Sequence, residues 1–518
     1  MVTSPNALAS QIGIGVLGEG GNAADAIVAM AAGLSVVYPH MTGIGGDAFI
    51  LYHDASARTT HAYNGSGAAV ALATREFYRD HGLNVIPERG GAAVLTVPGA
   101  VDLWFALHER FGSMDIGRLL APAARYAREG APLARSVVRG LTEEREFLSA
   151  DPGARELYGA QGYEIGDRLV QPALARTIEM IASKGRAWFY TGEGAERIRA
   201  ACERAGSPLR GADLAAHRGF FCEPLEARFR AWRSLVTPPN SQGVALLFAQ
   251  AIYEAASGAE RLDPGGAAFA HRGIEAVKLA FADRDRLVPD PTPSALAAQQ
   301  LLGAKHAAEQ ARRIDPNKAA PDTAQALRGG TTYFACVDES GNAASMIQSL
   351  YFHFGSCVGV PELGIVLQNR GCAFTLDAGK PTSLEPGKRP FHTLMAAMLL
   401  DGDRPYLVYG TMGGDGQPQT NLQNSIRIAE RGMDPQAALD EPRWRYGRTW
   451  GAQQPGVAVE ARAGKACIAG LEARGHRVIV ADEWEESMGH AGAIVIDKER
   501  GILIGASDAR SDGAALGL

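Results

Sequence analysis

Cysteine is scarce, and what there is has no binding arrangement. Six cysteines in 518 residues (Cys202, Cys222, Cys336, Cys357, Cys372, Cys467) form no CxxC pair and no metal-ligand spacing, so they read as reduced thiols of a reducing compartment. Positive charge is neither in excess nor clustered. The net charge is −6 and no Lys/Arg run reaches five, which argues against a nucleic-acid surface. No window of about 18 residues is uncharged and strongly apolar; the closest, AIVAMAAGLSVVYPHM, is Ala/Gly-rich and broken by Pro39 and His40. The opening MVTSPNALASQIGIGV has no basic n-region and no unbroken apolar h-region, so no export signal is expected. Also missing are a phosphate-binding GxxxxGK[ST] loop, a GxSxG elbow and any His/Asp/Glu spacing suited to zinc. These absences predict a soluble, cytoplasmic protein with no nucleic-acid or membrane partner, no cofactor and no metal.

What is present is the balance of a folded protein, 46% apolar and 21% charged. The chain is long for one domain, though a layered body of this size is possible. Residues 5–18 and 22–37 carry helical spacing, with Asn22 as a cap at the GGNAADA junction. MTGIGGDAFILYHD reads as a glycine loop feeding a strand, and residues 99–130 and 173–204 are mostly helical by period. SLVTPPNSQGVALLFAQAIYEAA predicts a strand, a turn and a helix. Residues 293–328 are Ala-, Gln- and charge-rich, and the tail DPNKAAPDTAQALRGG is expected to be flexible and exposed. Beyond it, TTYFACVD and NAASMIQSLYF read as two strands joined by ESG. Helix-rich first two thirds and a strand-rich last third predict an α+β or layered body.

Two motifs are discounted. GIGVLG at residues 13–18 matches GxGxxG, but no strand precedes it, so it reads as small residues on a packed helix face. His40, alone beside a glycine loop, reads as a hydrogen-bonded structural residue rather than an acid or base.

The informative stretch is RGGTTYFACVDESGNAAS, residues 328–345. A threonine hydroxyl is a poor nucleophile unless a base stands beside it, and one such base is the residue's own α-amine. A free α-amine has a pKa of about 7.7–8.0 and can take the hydroxyl proton near neutrality. That amine exists at Thr331 only if the Gly330–Thr331 peptide is cut. Gly329 and Gly330 would permit a strained turn there, from which Thr331 Oγ attacks the Gly330 carbonyl.

TTYFACVDESGNAASMIQSLYFHFGS resembles the small-subunit start of the γ-glutamyltransferase family, TTH-x-S-V-V-D-x-x-G-N-A-V-S. The likeness extends over most of the chain. GGNAADAIVAMAAGLSVVYPHMTGIGGDAFILY is similar to that family's large-subunit opening, and AAVLTVPGAVDLWFALHERFG and LLAPAARYAREG to its VPG and LAPAI blocks. TPPNSQGVALL, PGKRPFHTL, YGTMGGDGQPQT and SDARSDGAALG resemble its PPPSSGG, PGKRPLSSM, GSPGGS and closing motifs. The resemblance implies a four-layer αββα fold of the N-terminal-nucleophile hydrolases. It also implies a single catalytic unit over residues 1–518, made as a proenzyme and cut into a large subunit, 1–330, and a small one, 331–518. Thr331 is then the nucleophile, Thr332 assists processing, and the amides of Gly413 and Gly414 hold the oxyanion. The partners expected are a small amide substrate and the two subunits themselves, with pairing of two such heterodimers left open.

Substrate recognition departs from the family. The arginine that holds a γ-glutamyl α-carboxylate falls near Ser66, and the amine-binding acid of NNQMDDF becomes Ala373 in LQNRGCAF. In the same segment Asn369 stands beside Arg370, which replaces the family glutamine. The paired serines of RPLSSM become His392 and Thr393, and the Thr and Asn lining the glutamyl site become Ser349 and Tyr351. Losing the anion for an amine while gaining Arg370 predicts an anionic acyl group, as in oxamate or a carboxylate-bearing acyl amide. Branches that hydrolyse oxamate, or are named cephalosporin acylases, share this NRG…PGKRPFHTL style. Three alternatives stand beside that reading. Arg370 pairs internally with Glu362 or Asp377; the chain acts as a γ-glutamyltransferase or glutathione hydrolase; or it is an unprocessed binding protein.

Overall fold

The computed structural model describes residues 1–159, 162–287, 297–322, 329–447 and 456–518. Two antiparallel sheets carry a mixed α and β fold. The first has seven strands in the order Ala514–Leu516, Val2–Ser4, Gly330–Val337, Ala343–Tyr351, Asp47–Asp54, Thr59–Asn64 and Phe220–Cys222. The second has six, from Ile502–Ser507 through Ala491–Asp497, Arg404–Thr411, Ala397–Asp401 and Trp232–Val236 to Leu225–Phe229. The two chain ends therefore pair with each other, and the N-terminal strand Val2–Ser4 pairs with the strand that opens at Gly330.

Alternation along that strand decides what each side chain meets. Tyr333, Ala335 and Val337 join an apolar layer shared with Met398, Val408 and Ile494 of the second sheet. Phe334 and Cys336 face the other way, into a cluster built with helices Ala23–Val37, Ala100–Phe111 and Ile116–Glu129. A third cluster lies on the far face of the second sheet, where helices Gly243–Ser257 and Ala267–Leu287 cover Val236, Leu399 and Tyr409.

The Ala23–Val37 helix is buried on every side, as a helix apolar all round must be. Its start is the expected cap. Asn22 Oδ1 accepts the N–H groups of Ala24 and Asp25, and the Asp25 carboxylate accepts the Asn22 N–H, a reciprocal box. GIGVLG lies within helix Ala7–Gly18, where a Cβ at Gly13 would strike Met30 Sδ at 2.5 Å. That is the packing role assigned from the sequence.

Two expectations are corrected. Residues 315–322 are exposed as expected, Ala319 alone being half-buried, but they are held by contacts. Lys278 on helix Ala267–Leu287 donates to the Ala320 carbonyl and pairs with Asp322, Glu275 accepts the Ala320 N–H, and Arg474 O accepts the Ala319 N–H. The rest of that tail, residues 323–328, lies outside the described residues, as do residues 293–296. Gly329 and Gly330 are also not in a left-handed turn; Gly330 already opens the strand. Their use is close approach. A Cβ at Gly329 would meet the Tyr351 ring at 3.2 Å and Gly414 Cα at 3.4 Å, and one at Gly330 would meet His353 and Met41 at 3.0 Å.

Candidate active site

Thr331 and Thr332 are fully buried on the second and third positions of their strand. Thr331 Oγ1 lies 2.5 Å from the Gly330 carbonyl oxygen and 3.3 Å from Ser349 Oγ. Ser349, on the neighbouring strand, donates to the same carbonyl at 2.6 Å and accepts the Tyr351 N–H at 2.7 Å. A register shift between Gln348 and Tyr351 puts Tyr351 opposite Gly330, at a φ of 82°. Thr332 points to the helix side beside Gln348, its hydroxyl without a hydrogen-bond partner among the described residues.

Gly413 and Gly414 form the turn between strand Arg404–Thr411 and helix Gly416–Ser425. Their φ values of 122° and 56° lie in the left-handed region that favours glycine. Gln242 fixes the turn, donating to the Gly414 carbonyl at 2.8 Å and to the Thr393 carbonyl at 2.6 Å. Arg284 orients Gln242 and Asp415 together, at 2.9 and 2.7 Å. Among the described residues neither glycine N–H donates within the protein. Both remain available to an anion at the start of a helix.

Arg370 lies against Tyr351, the residue opposite Gly330. Its guanidinium is fully buried and stacks on the Tyr351 ring at 3.4 Å. Nη2 donates to Thr393 Oγ1 at 3.0 Å, whereas Nε and Nη1 have no partner among the described residues. The internal pairs considered from the sequence do not form: Glu362 meets Arg204 and Asp377 meets Lys380. Burial pulls the Arg370 pKa below its ordinary value. Asn369 braces the segment, accepting the Phe352 N–H and donating to Glu88 O at 2.7 Å.

His392 is buried, and burial with nearby Arg370 holds it neutral, its pKa well below the usual range. Its Nδ1 accepts the Leu394 N–H at 3.3 Å, so Nε2 carries the proton and donates to Asp47 at 3.1 Å. Asp47 also takes the N–H groups of Gly67, Gly99 and Gln368. Burial nevertheless raises it to about 7. Ser66 donates to Asn64 at 2.7 Å, and Ala373 is half-buried beside Arg370 on its turn. His40 is buried against Tyr38 and His353, its ring nitrogens unpartnered among the described residues rather than hydrogen-bonded as expected.

Folding therefore gathers Thr331, Ser349, Tyr351, Asn369, Arg370, Thr393 and the glycine turn. Sequence reasoning missed Asp47, Gln242 and Arg284, each joined to the site across a long stretch of chain. It also missed His271, Glu275 and His476, whose ligand atoms lie within 4.8 Å of one another. His271 Nδ1 and His476 Nε2 stand 2.7 Å apart and Lys278 pairs with Glu275, so this cluster carries its own contacts. The i, i+4 spacing of His271 and Glu275 on one helix was its only signal.

A hydroxyl set against a carbonyl, with free amides beside it, defines an enzyme of amide bonds, a hydrolase or acyltransferase. The gamma-glutamyltranspeptidase family model matches residues 9–518, and the chain belongs to that family. It is 41% identical to the glutathione hydrolase-like YwrD proenzyme of Bacillus subtilis over its full length and 98% of that protein. It is equally 41% identical to the oxamate amidohydrolase proenzyme of Klebsiella pneumoniae, again over 100% of this chain and 98% of the other. Its fold is similar to the crystal structure of cephalosporin acylase from Bacillus halodurans, with a TM-score of 0.91 and 34% identity, covering 99% of this chain and 94% of that one.

Proposed function

We propose that the chain is a proenzyme that cuts itself before Thr331 and then hydrolyses amides of a small carboxylate-bearing acyl group, oxamate-like in kind. Thr331 Oγ attacks the Gly330 carbonyl carbon while Ser349 polarises its oxygen. The C–N bond breaks as the Thr331 nitrogen takes the proton, leaving an ester that water opens. Residues 1–330 and 331–518 become the two subunits of one αββα N-terminal-nucleophile hydrolase, alone or as a pair of heterodimers. Thr332 assists, its buried hydroxyl taking up a contact that the new amine provides.

In turnover the α-amine of Thr331 accepts the hydroxyl proton as Oγ attacks a substrate carbonyl, and passes it to the departing nitrogen. The Gly413 and Gly414 N–H groups meet the oxyanion. Water then attacks the ester, its proton returning through the same amine to Oγ. The observation that carries the substrate reading is Arg370, a buried cation with two nitrogens unpartnered among the described residues. Such a group is costly unless an anion meets it, and a carboxylate meets it in a bidentate fork. Asn369, Tyr351, His392 and Thr393 shape that seat.

The test is ammonia release by the cut protein from oxamate and from glutamine, with glutamate release from glutathione assayed in parallel. Turnover of oxamate well above the other two supports the reading. Efficient glutathione hydrolysis with none of oxamate replaces it by the glutathione hydrolase reading, which the YwrD-like relative favours.

A further inference from the structure

A second buried arginine lies on the open side of the same peptide. Arg445, on the strand Trp444–Tyr446, is 5% exposed, and its Nε and Nη1 have no partner among the described residues. Its stem runs against the start of the helix that follows the glycine turn, where a Cβ at Gly416 would meet Cδ at 3.2 Å. The side chain lines a cavity of about 600 Å³ that reaches Gly329 and Gly330 and has Phe147, Phe352 and Ile479 in its wall. Arg370 is not among the lining residues, so Arg445 faces this cavity and Arg370 does not.

The other cations of that cavity are neutralised. Arg89 pairs with Glu144 at 2.6 Å, and Arg139 pairs with Glu143 at 2.7 Å and Glu486 at 3.2 Å. Arg445 has no ion pair among the described residues. The charge of Glu485 acts on it, and that carboxylate accepts the Ser487 N–H at 3.0 Å. Burial pulls the guanidinium down to about 9, so it stays charged at neutral pH.

We propose that Arg445 seats a carboxylate on the amine half of the substrate, the half that leaves when Thr331 is acylated. The inference rests on Thr331 being the acylated residue. It adds that the departing amine is larger than ammonia and anionic. A cavity of this volume suits an organic ligand, and its apolar wall faces the body of such an amine while Arg445 fixes its far end. The amine leaves with the proton delivered by the Thr331 nitrogen, and its carboxylate stays on Arg445 until release.

Two measurements test it. Calorimetric binding compares 4-aminobenzoate with 4-aminobenzamide on the purified protein, wild type, Arg445→Met and Arg445→Lys. The wild type is expected to prefer the carboxylate at least tenfold, Arg445→Met to lose that preference and Arg445→Lys to keep part of it. Turnover of N-(4-carboxyphenyl)oxamate against its 4-carbamoyl analogue should show the same ratio in kcat/KM, collapsing in Arg445→Met. Arg370→Met should depress both substrates alike and leave the ratio standing. A wild type without the preference, or a preference that survives Arg445→Met, overturns the proposal. A carboxylate preference in binding without turnover of either oxamate counts against the acyl half of the proposed function and supports the seat at Arg445.

Discussion

Ser349 Oγ donates to the Gly330 carbonyl oxygen at 2.6 Å while standing 3.3 Å from Thr331 Oγ1. One hydroxyl therefore touches both groups that the proposed self-cleavage brings together. Its single proton goes to the carbonyl, and its lone pairs take the Tyr351 N–H and the Thr331 hydroxyl. Removing one donor to a developing oxyanion costs about 100–1,000-fold in rate. Ser349→Ala is accordingly expected to slow self-cleavage about 100-fold, followed as the disappearance of the full-length band with time. An undiminished rate would remove Ser349 from processing.

Thr331→Ala should leave the chain intact through position 331, read by intact mass. Thr331→Ser, which keeps the hydroxyl, should still cut, and sequencing of the smaller piece should begin at residue 331. Detection of a cut elsewhere in active protein would displace Thr331 from its role.

How much of this was legible depends on whether a residue acts through its neighbours in sequence or in space. Thr331 and the Gly413–Gly414 turn stand in contiguous motifs, and the Asn22 cap reads directly because a cap is a local contact. Asp47 and His392 meet across 345 positions, and Arg284 and Asp415 across 131, so nothing local announces either pair. The tail 315–322 has the composition of a flexible segment, yet Lys278 and Glu275 hold it from a helix about one turn apart. Gly329 and Gly330 show a further limit. Glycine serves either positive φ or close approach, and composition does not separate the two.

Arg370→Met should separate recognition from stability. If Arg370 seats the acyl carboxylate, kcat/KM for oxamate falls about 10- to 100-fold, the loss of a charge-assisted contact of about 1.5–3 kcal/mol. Self-cleavage, which involves no acyl carboxylate, should proceed. Folding stability should stay level or rise, because an underpaired buried cation is replaced by an apolar side chain of similar length. The opposite pattern, intact turnover with a lower melting temperature, would make Arg370 a structural residue.

Glu486 offers a pH test beneath the same cavity. Burial raises its carboxyl from 4.5 to about 7, against the pull of Arg139 at 3.2 Å, with Asp512 and Glu143 adding to the rise. His490 faces it at 3.5 Å and is pulled down to about 4 by its own burial. A folded pKa above the unfolded one means that the folded chain binds the extra proton between about pH 4.5 and 7. Its stabilising effect is thus complete below that window, declines as pH rises through it and is gone above. Depressed histidines such as His490 contribute the opposite slope up to about pH 6.5, so only the difference between variant and parent isolates Glu486. In the uncut Thr331→Ala background, Glu486→Gln should therefore gain stability relative to its parent from pH 5 to pH 8, by about 3 kcal/mol at most. Chemical denaturation at the two pH values reads this directly. A difference that does not change with pH would mean that Arg139 holds Glu486 ionised throughout.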